Sequence, residues 1–128
     1  MLDFNFQHTG PIYEKLRDEL RRMLITGALA ENEKLPSVRE LASSLAINPN
    51  TIQRAYRELE ADGYVYSIPG KGSFAASGKS VDSKRRTRLM DEFQKIVSEL
   101  NYLGIPMEEL TERISAIFQR ASQREGQK

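Results

Sequence analysis

The sequence predicts a mainly α-helical chain carrying one small β-hairpin, and three observations predict it. Apolar residues recur at helical spacing in five separate segments. Start and stop residues, among them Pro11, Gly27, Ser37, Asn48-Pro49, Gly63, Gly104 and Pro106, stand at the ends of those segments. Only the stretch Tyr64–Ala75 places strand formers on both sides of a turn, Pro69-Gly70-Lys71-Gly72. A length of 128 residues allows one ordinary domain, or one small domain with an appendage. With 39% apolar and 29% charged residues, the chain can bury a modest core and is too apolar for wholesale disorder.

Each element has its own grounds. Ile12, Leu16, Leu20 and Leu24, flanked by Tyr13 and Met23, form an apolar stripe on a helix that begins at Pro11 and ends at Gly27. The segment GALAENEKLPS is too broken to be helical. Ser37 then offers an N-cap with Glu40 three residues on, and Val38, Leu41, Ala42 and Leu45 give a short second helix its buried side. After a tight connection at Ala46–Ile47, Asn48 caps and Pro49 opens a third helix. Ile52, Ala55, Tyr56 and Leu59 line one side of it, and Asp62–Gly63 stops it. Tyr64, Val65, Tyr66 and Ile68 suit a strand, and Ser73-Phe74-Ala75 returns as its partner.

Composition then changes. Residues 1–78 hold nine Lys+Arg against ten Asp+Glu, a balance of −1, and residues 79–128 hold ten against eight, or +2. The stretch SFAASGKSVDSKRRTR replaces apolar periodicity with small residues and a basic run, so a hinge is expected at about Ser77–Ser83. Residues 1–77 make the first domain, and residues 78–128 a basic hinge with a two-helix tail. In that tail Leu89, Phe93, Ile96, Val97, Leu100 and Leu103 share one stripe up to Gly104. Met107, Leu110, Ile114, Ile117, Phe118 and Ala121 share another after Pro106. Two such helices have no core of their own and too little bulk to enclose a sizeable ligand pocket, so self-association is the expected outlet. The competing arrangement folds the tail back onto the first domain. Leu89, Phe93, Ile96, Val97, Leu100, Leu110, Ile114, Ile117 and Phe118 are the expected dimerisation residues.

Two helices joined by a tight turn and followed by a hairpin make a winged helix-turn-helix, whose second helix of the pair enters the DNA major groove. With the apolar side of the third helix turned inward, about 100° per residue puts Asn50, Arg54 and Arg57 on the opposite side, with Thr51 and Gln53 flanking. Asn and Gln pair bidentately with adenine, Arg pairs with guanine, and Thr meets a phosphate or a thymine methyl. Arg39, early in the second helix, and Lys71, at the hairpin tip, are placed to grip phosphates on either side of a groove. Gly70 and Gly72 allow the hairpin backbone a close approach. That combination points to duplex DNA, and a two-fold dimer would match an inverted-repeat operator.

These residues resemble a known family. Pro11-Ile12-Tyr13, Leu35-Pro36-Ser37-Val38-Arg39-Glu40-Leu41-Ala42, the run Asn48–Leu59, Gly63-Tyr64 and Gly70-Lys71-Gly72-Ser73-Phe74 look like the DNA-binding domain of GntR-family bacterial transcription regulators. The resemblance covers about residues 10–76. It assigns DNA contacts to Arg39, Asn50, Thr51, Gln53, Arg54, Lys71 and Gly72. Many members carry arginines where Pro49 and Gln53 stand here. The NPNT-xQRAY version with a very short C-terminal part resembles the YtrA subfamily. That implies a regulator, usually a repressor, often of transport genes, with a two-helix dimerisation tail; it names no small-molecule effector.

Other classes find little material. There is no cysteine and one histidine, His8, so metal, redox and thiol chemistry are poor expectations and no cofactor is implied. Gly70-Lys71-Gly72-Ser73 lacks the earlier glycine and following helix of a phosphate loop. Asp91-Glu92 and Glu108-Glu109 are explained by solvation and helix-dipole effects, which leaves no catalytic set and no enzyme. The rival function is a winged-helix module for protein or RNA without duplex-DNA specificity. Met23–Ala30 is far short of a membrane span, and MLDFNFQHTG is no secretory signal, so cytoplasmic residence is expected.

Overall fold

The computed structural model describes residues 11–126, with side chains described through residue 122; His8 lies outside the described residues. Three helices come first: α1 (Ile12–Thr26), α2 (Val38–Leu45) and α3 (Pro49–Ala61). Strands β1 (Val65–Ile68) and β2 (Gly72–Ala75) follow, and then, after a 3₁₀ turn at Gly78–Ser80, helices α4 (Ser83–Tyr102) and α5 (Met107–Gly126). This is the expected winged helix-turn-helix with a two-helix tail. The chain divides into two compact units between Asp82 and Ser83.

The caps act as the sequence suggests. The Ser37 hydroxyl accepts from the Glu40 amide at 3.0 Å, and the Asn48 side chain accepts from the Asn50 amide at 2.8 Å, each satisfying a first-turn donor that has no helical partner. Pro11 is the residue before α1 and not its first residue. The core gathers Leu16, Leu20 and Met23 of α1, Leu41 and Ala42 of α2, and Ile52, Ala55, Tyr56 and Leu59 of α3 with Leu29, Leu35 and Val65. Ile12, expected on the buried stripe, is 52% exposed and lines an open cleft with Asn50 and Thr51 of α3.

In the turn between α2 and α3, Ala46 adopts the left-handed conformation (φ 55°) and its amide bonds back to the end of α2. A side chain in that region costs about 1–2 kcal/mol. Ala46→Gly should therefore raise stability by about 0.5–1 kcal/mol, after the greater freedom of glycine in the unfolded chain is deducted. Chemical denaturation checks this; an unchanged midpoint would show that the turn carries no such strain.

The hairpin pairs Val65 with Ala75, Tyr66 with Phe74, Ser67 with Ser73 and Ile68 with Gly72. An extended segment around Lys34, absent from the sequence expectation, lies against it through an isolated bridge. The Asn32 amide donates to the Ala75 carbonyl (2.7 Å), the Ala75 amide to Glu33 (2.8 Å) and the Leu35 amide to Ser73 (2.9 Å), around a bridge between Lys34 and Phe74. Broken periodicity concealed this segment, whose backbone groups satisfy part of the outer edge of β2.

Residues 78–82, assigned from sequence to the hinge, belong to the first unit. Val81 packs against the core, and the Asp82 amide donates to the Asp62 carbonyl at 2.7 Å. The basic run Lys84–Arg88 also departs from expectation: it is helical, forming the first turns of α4. Lys and Arg are good helix formers, and nothing after Ser83 breaks a helix before Gly104.

In the second unit, Gly104 (φ 85°) closes α4 and the Pro106 carbonyl accepts the first amides of α5. No residue of α4 is buried. Phe93 is 47%, Ile117 57% and Phe118 70% exposed, with Leu89, Ile96 and Ile114 also open, while Val97, Leu100 and Leu110 are half-buried. An open groove of about 550 Å³ between the two helices is lined by Met90, Phe93, Val97, Ile105, Met107 and Leu110. Among the described residues no helix is long and apolar enough to cross a membrane.

Candidate nucleic-acid interface

Helix α3 is the centre of the site, and its attachment to the core decides what it shows. Ile52, Ala55, Tyr56 and Leu59 are buried, so Asn50, Gln53 and Arg57 face outward, and all three are exposed. Thr51, on the flank, is half-buried. Tyr56 ties α3 to the start of α2 by donating its hydroxyl to the Pro36 carbonyl at 2.7 Å. Burial, reinforced by the charge of Glu40, raises the phenol pKa far above its usual value, so the hydroxyl stays a donor. That bond holds the entry of α2, where Arg39 stands exposed in the first turn.

The cations of the first unit fall into two groups. The three arginines of α1 are engaged: Arg17 reaches Glu58 at 2.6 Å and Asp18 at 3.0 Å, Arg21 reaches Asp18 at 3.2 Å and Asp62 at 3.5 Å, and Arg22 pairs with the buried Glu19. Arg21 also lies over the Tyr64 ring, 5.2 Å from its centroid. These pairs consume acidic residues of α1 and the C-terminal half of α3. Arg39, Arg57 and Lys71 take part in no ion pair among the described residues. A slightly acidic unit thus leaves unpaired cations on α2, α3 and the hairpin.

Arg54 stands between the two groups. It is exposed on α3, yet its guanidinium lies over the Tyr13 ring, 3.7 Å from the centroid, and Nη2 donates to the Tyr13 hydroxyl at 3.0 Å. Its Nε is 4.0 Å from Glu58. The helical projection placed Arg54 outward but could not show this tether to α1.

The hairpin tip carries Lys71, whose amide donates to the Ile68 carbonyl at 2.9 Å. Gly72 has φ 122°, and a Cβ there would stand 3.0 Å from Lys34 Cε. The Lys34 side chain crosses the hairpin at Gly72, where no side chain obstructs it. Lys34 was missed from sequence; the signal was its place two residues before Pro36, beside the buried Leu35. Behind the tip, Tyr66 and Phe74 stack at 5.5 Å and the Tyr66 hydroxyl donates to Asn32 at 2.9 Å, which stiffens the wing.

Comparison with known proteins agrees with this geometry. The profile described as "Bacterial regulatory proteins, gntR family" matches residues 12–74, the span from α1 to β2. The chain is 37% identical over 114 residues to the uncharacterized HTH-type transcriptional regulator YhcF of Bacillus subtilis, covering 88% of this chain and 94% of that one. It is 29% identical over 119 residues to the HTH-type transcriptional repressor YtrA of the same organism, covering 91% and 92%. A solved GntR family transcriptional regulator from Listeria monocytogenes superposes with a TM-score of 0.64 at 31% identity, covering 87% of this chain and 98% of that one. Two of these likenesses run nearly the full length of relatives more than 30% identical, tail included. The chain belongs to the GntR family, resembling YtrA, and is a DNA-binding transcription regulator, not an enzyme.

Proposed function

We propose that this regulator acts in the cytoplasm as a homodimeric repressor of an inverted-repeat operator, controlling transport genes. The observation that carries the reading is the division of charge in the first unit: Asp18 and Glu19 of α1 are paired with arginines of the same helix, while Arg39, Arg57 and Lys71 are exposed and take part in no ion pair among the described residues. Unpaired cations at three separate elements suit a duplex, whose phosphates flank the groove that α3 enters. Asn50, Thr51, Gln53, Arg54 and Arg57 supply the readout from α3. Arg39 and Lys71, with the close approach permitted at Gly72, clamp the backbone.

The tail supports dimerisation by what it leaves uncovered. Large apolar side chains on α4 and α5 are open to solvent, and such faces mark association surfaces. Two copies related by a two-fold axis present two recognition helices, the arrangement an inverted repeat requires. The named repressor YtrA, alike over most of its length, supports repression.

The experiment is selection of duplexes from a random-sequence pool by the full-length protein, followed by titration of the recovered duplex at two salt concentrations. An inverted repeat should emerge, with affinity falling steeply as salt rises. Recovery of no consensus, or binding indifferent to salt, would refute the reading. Lys34→Ala should weaken the recovered duplex and random DNA alike, and lower the salt slope by about one counterion. An unchanged slope would place Lys34 away from phosphate.

A further inference from the structure

We infer that Tyr13 is a positioning residue for DNA readout, holding the Arg54 guanidinium in a set orientation at the recognition face. The inference rests on the reading of α3 as the DNA-reading helix and adds to it a residue outside that helix.

The geometry is that of two facing helix turns. Tyr13 and Arg17 are four residues apart on α1, and Arg54 and Glu58 are four residues apart on α3, so each pair occupies adjacent turns of one helix face. Across the contact, Arg17 Nη1 meets Glu58 Oε2 at 2.6 Å and the Arg54 guanidinium covers the Tyr13 ring. Glu58 is thus shared, tightly with Arg17 and loosely with Arg54, whose Nε stands 4.0 Å from its other oxygen. Without the ring, the long Arg54 side chain would be free to swing onto Glu58 or into solvent. Stacking on an aromatic face preorganises the guanidinium plane, and the Tyr13 hydroxyl takes one of its five donors.

The remaining donors have somewhere to act. Ile12, Tyr13, Asn50, Thr51 and Arg54 line one open cleft at the N-terminal end of α3, the end that meets base edges and phosphates in helix-turn-helix docking. An arginine fixed in plane there offers a bidentate fork to a base edge or phosphate without first losing side-chain freedom. The sharing of Glu58 adds a restraint: the carboxylate is held by Arg17, so it competes only weakly for the fork.

The test uses the full-length protein and the duplex that the wild type selects from a random-sequence pool. Tyr13→Ala should weaken binding about tenfold and Arg54→Ala roughly 10- to 100-fold, with the double variant no weaker than Arg54→Ala within about a factor of two. Selection repeated with Tyr13→Ala should lose preference at the same base position that Arg54→Ala loses, a signature that general loss of stability would not produce. Tyr13→Phe keeps the ring; it should bind about threefold more weakly than wild type and have no effect in the Arg54→Ala background, which carries the test should Tyr13→Ala not fold. Effects of Tyr13 and Arg54 that multiply independently, or a Tyr13 variant with unaltered affinity and base preference, would overturn the inference while leaving DNA recognition by α3 intact. If the wild type selects no sequence, the underlying reading falls and this one with it.

Discussion

Gly63→Ala is expected to destabilise the winged unit by about 2–5 kcal/mol, enough to lower its melting temperature on the order of 15 °C. Two causes add. Gly63 ends α3 with φ 87°, a conformation that disfavours any residue with a Cβ. A Cβ there would also stand 2.1 Å from the Ser80 carbonyl oxygen and 2.9 Å from its carbon. Those atoms are backbone and cannot swing away. The segment is held close by the Asp82 amide, which donates to Asp62 at 2.7 Å, and by Val81 against the core. Relief requires lifting this strap, which uncovers Val81 and breaks the Asp82 bond. Thermal unfolding followed by circular dichroism provides the measurement. A fall under about 3 °C would mean that the strap moves at little cost and contributes little to the fold.

Phe93→Asp is expected to turn the proposed dimer into monomers and to weaken operator binding by about 10²-fold or more. Phe93 is 47% exposed on α4 and lines the groove with Met90, Val97 and Leu110. A carboxylate at the centre of an apolar interface must be desolvated without a partner, a penalty of several kcal/mol. Loss of the second recognition helix then removes the gain from simultaneous engagement, which is commonly 10²–10⁴ in affinity. No residue of α4 is buried within the chain, so the monomer should keep its helical content and melting behaviour. Sedimentation velocity and duplex titration on the same sample test both parts. A dimer that survives the substitution would move the interface away from this face.

Residues close in sequence made much of the fold legible. Ser37 and Asn48 announce their helices because a cap needs only its own side chain and an amide two or three residues on. The buried sides of α2 and α3 follow from spacing alone, and so does the outward placement of Asn50, Arg54 and Arg57, with Gln53 on the flank. Glycine and proline marked the hairpin and the break between α4 and α5 for the same local reason. The helical start of α4 was local too, but a dense basic run resembles a solvated hinge in composition as closely as it resembles a helix surface.

What the sequence determined by itself, then, is the order of elements, their ends and the face each helix buries, since these depend on dihedral preferences and periodicity within a few residues. Tertiary structure alone decided which polar groups are spent and which remain. The bridge at Lys34 forms only because β2 presents an unfilled edge, Glu19 is buried beside Arg22, and Gly63 is demanded by Ser80, seventeen residues away. Net charge near zero concealed Arg39, Arg57 and Lys71, which take part in no ion pair among the described residues, because pairing depends on which helices touch. Arg54 shows the division most clearly: its side of α3 could be read from spacing, but its partner Tyr13 lies forty-one residues away and is met only when α1 packs against α3.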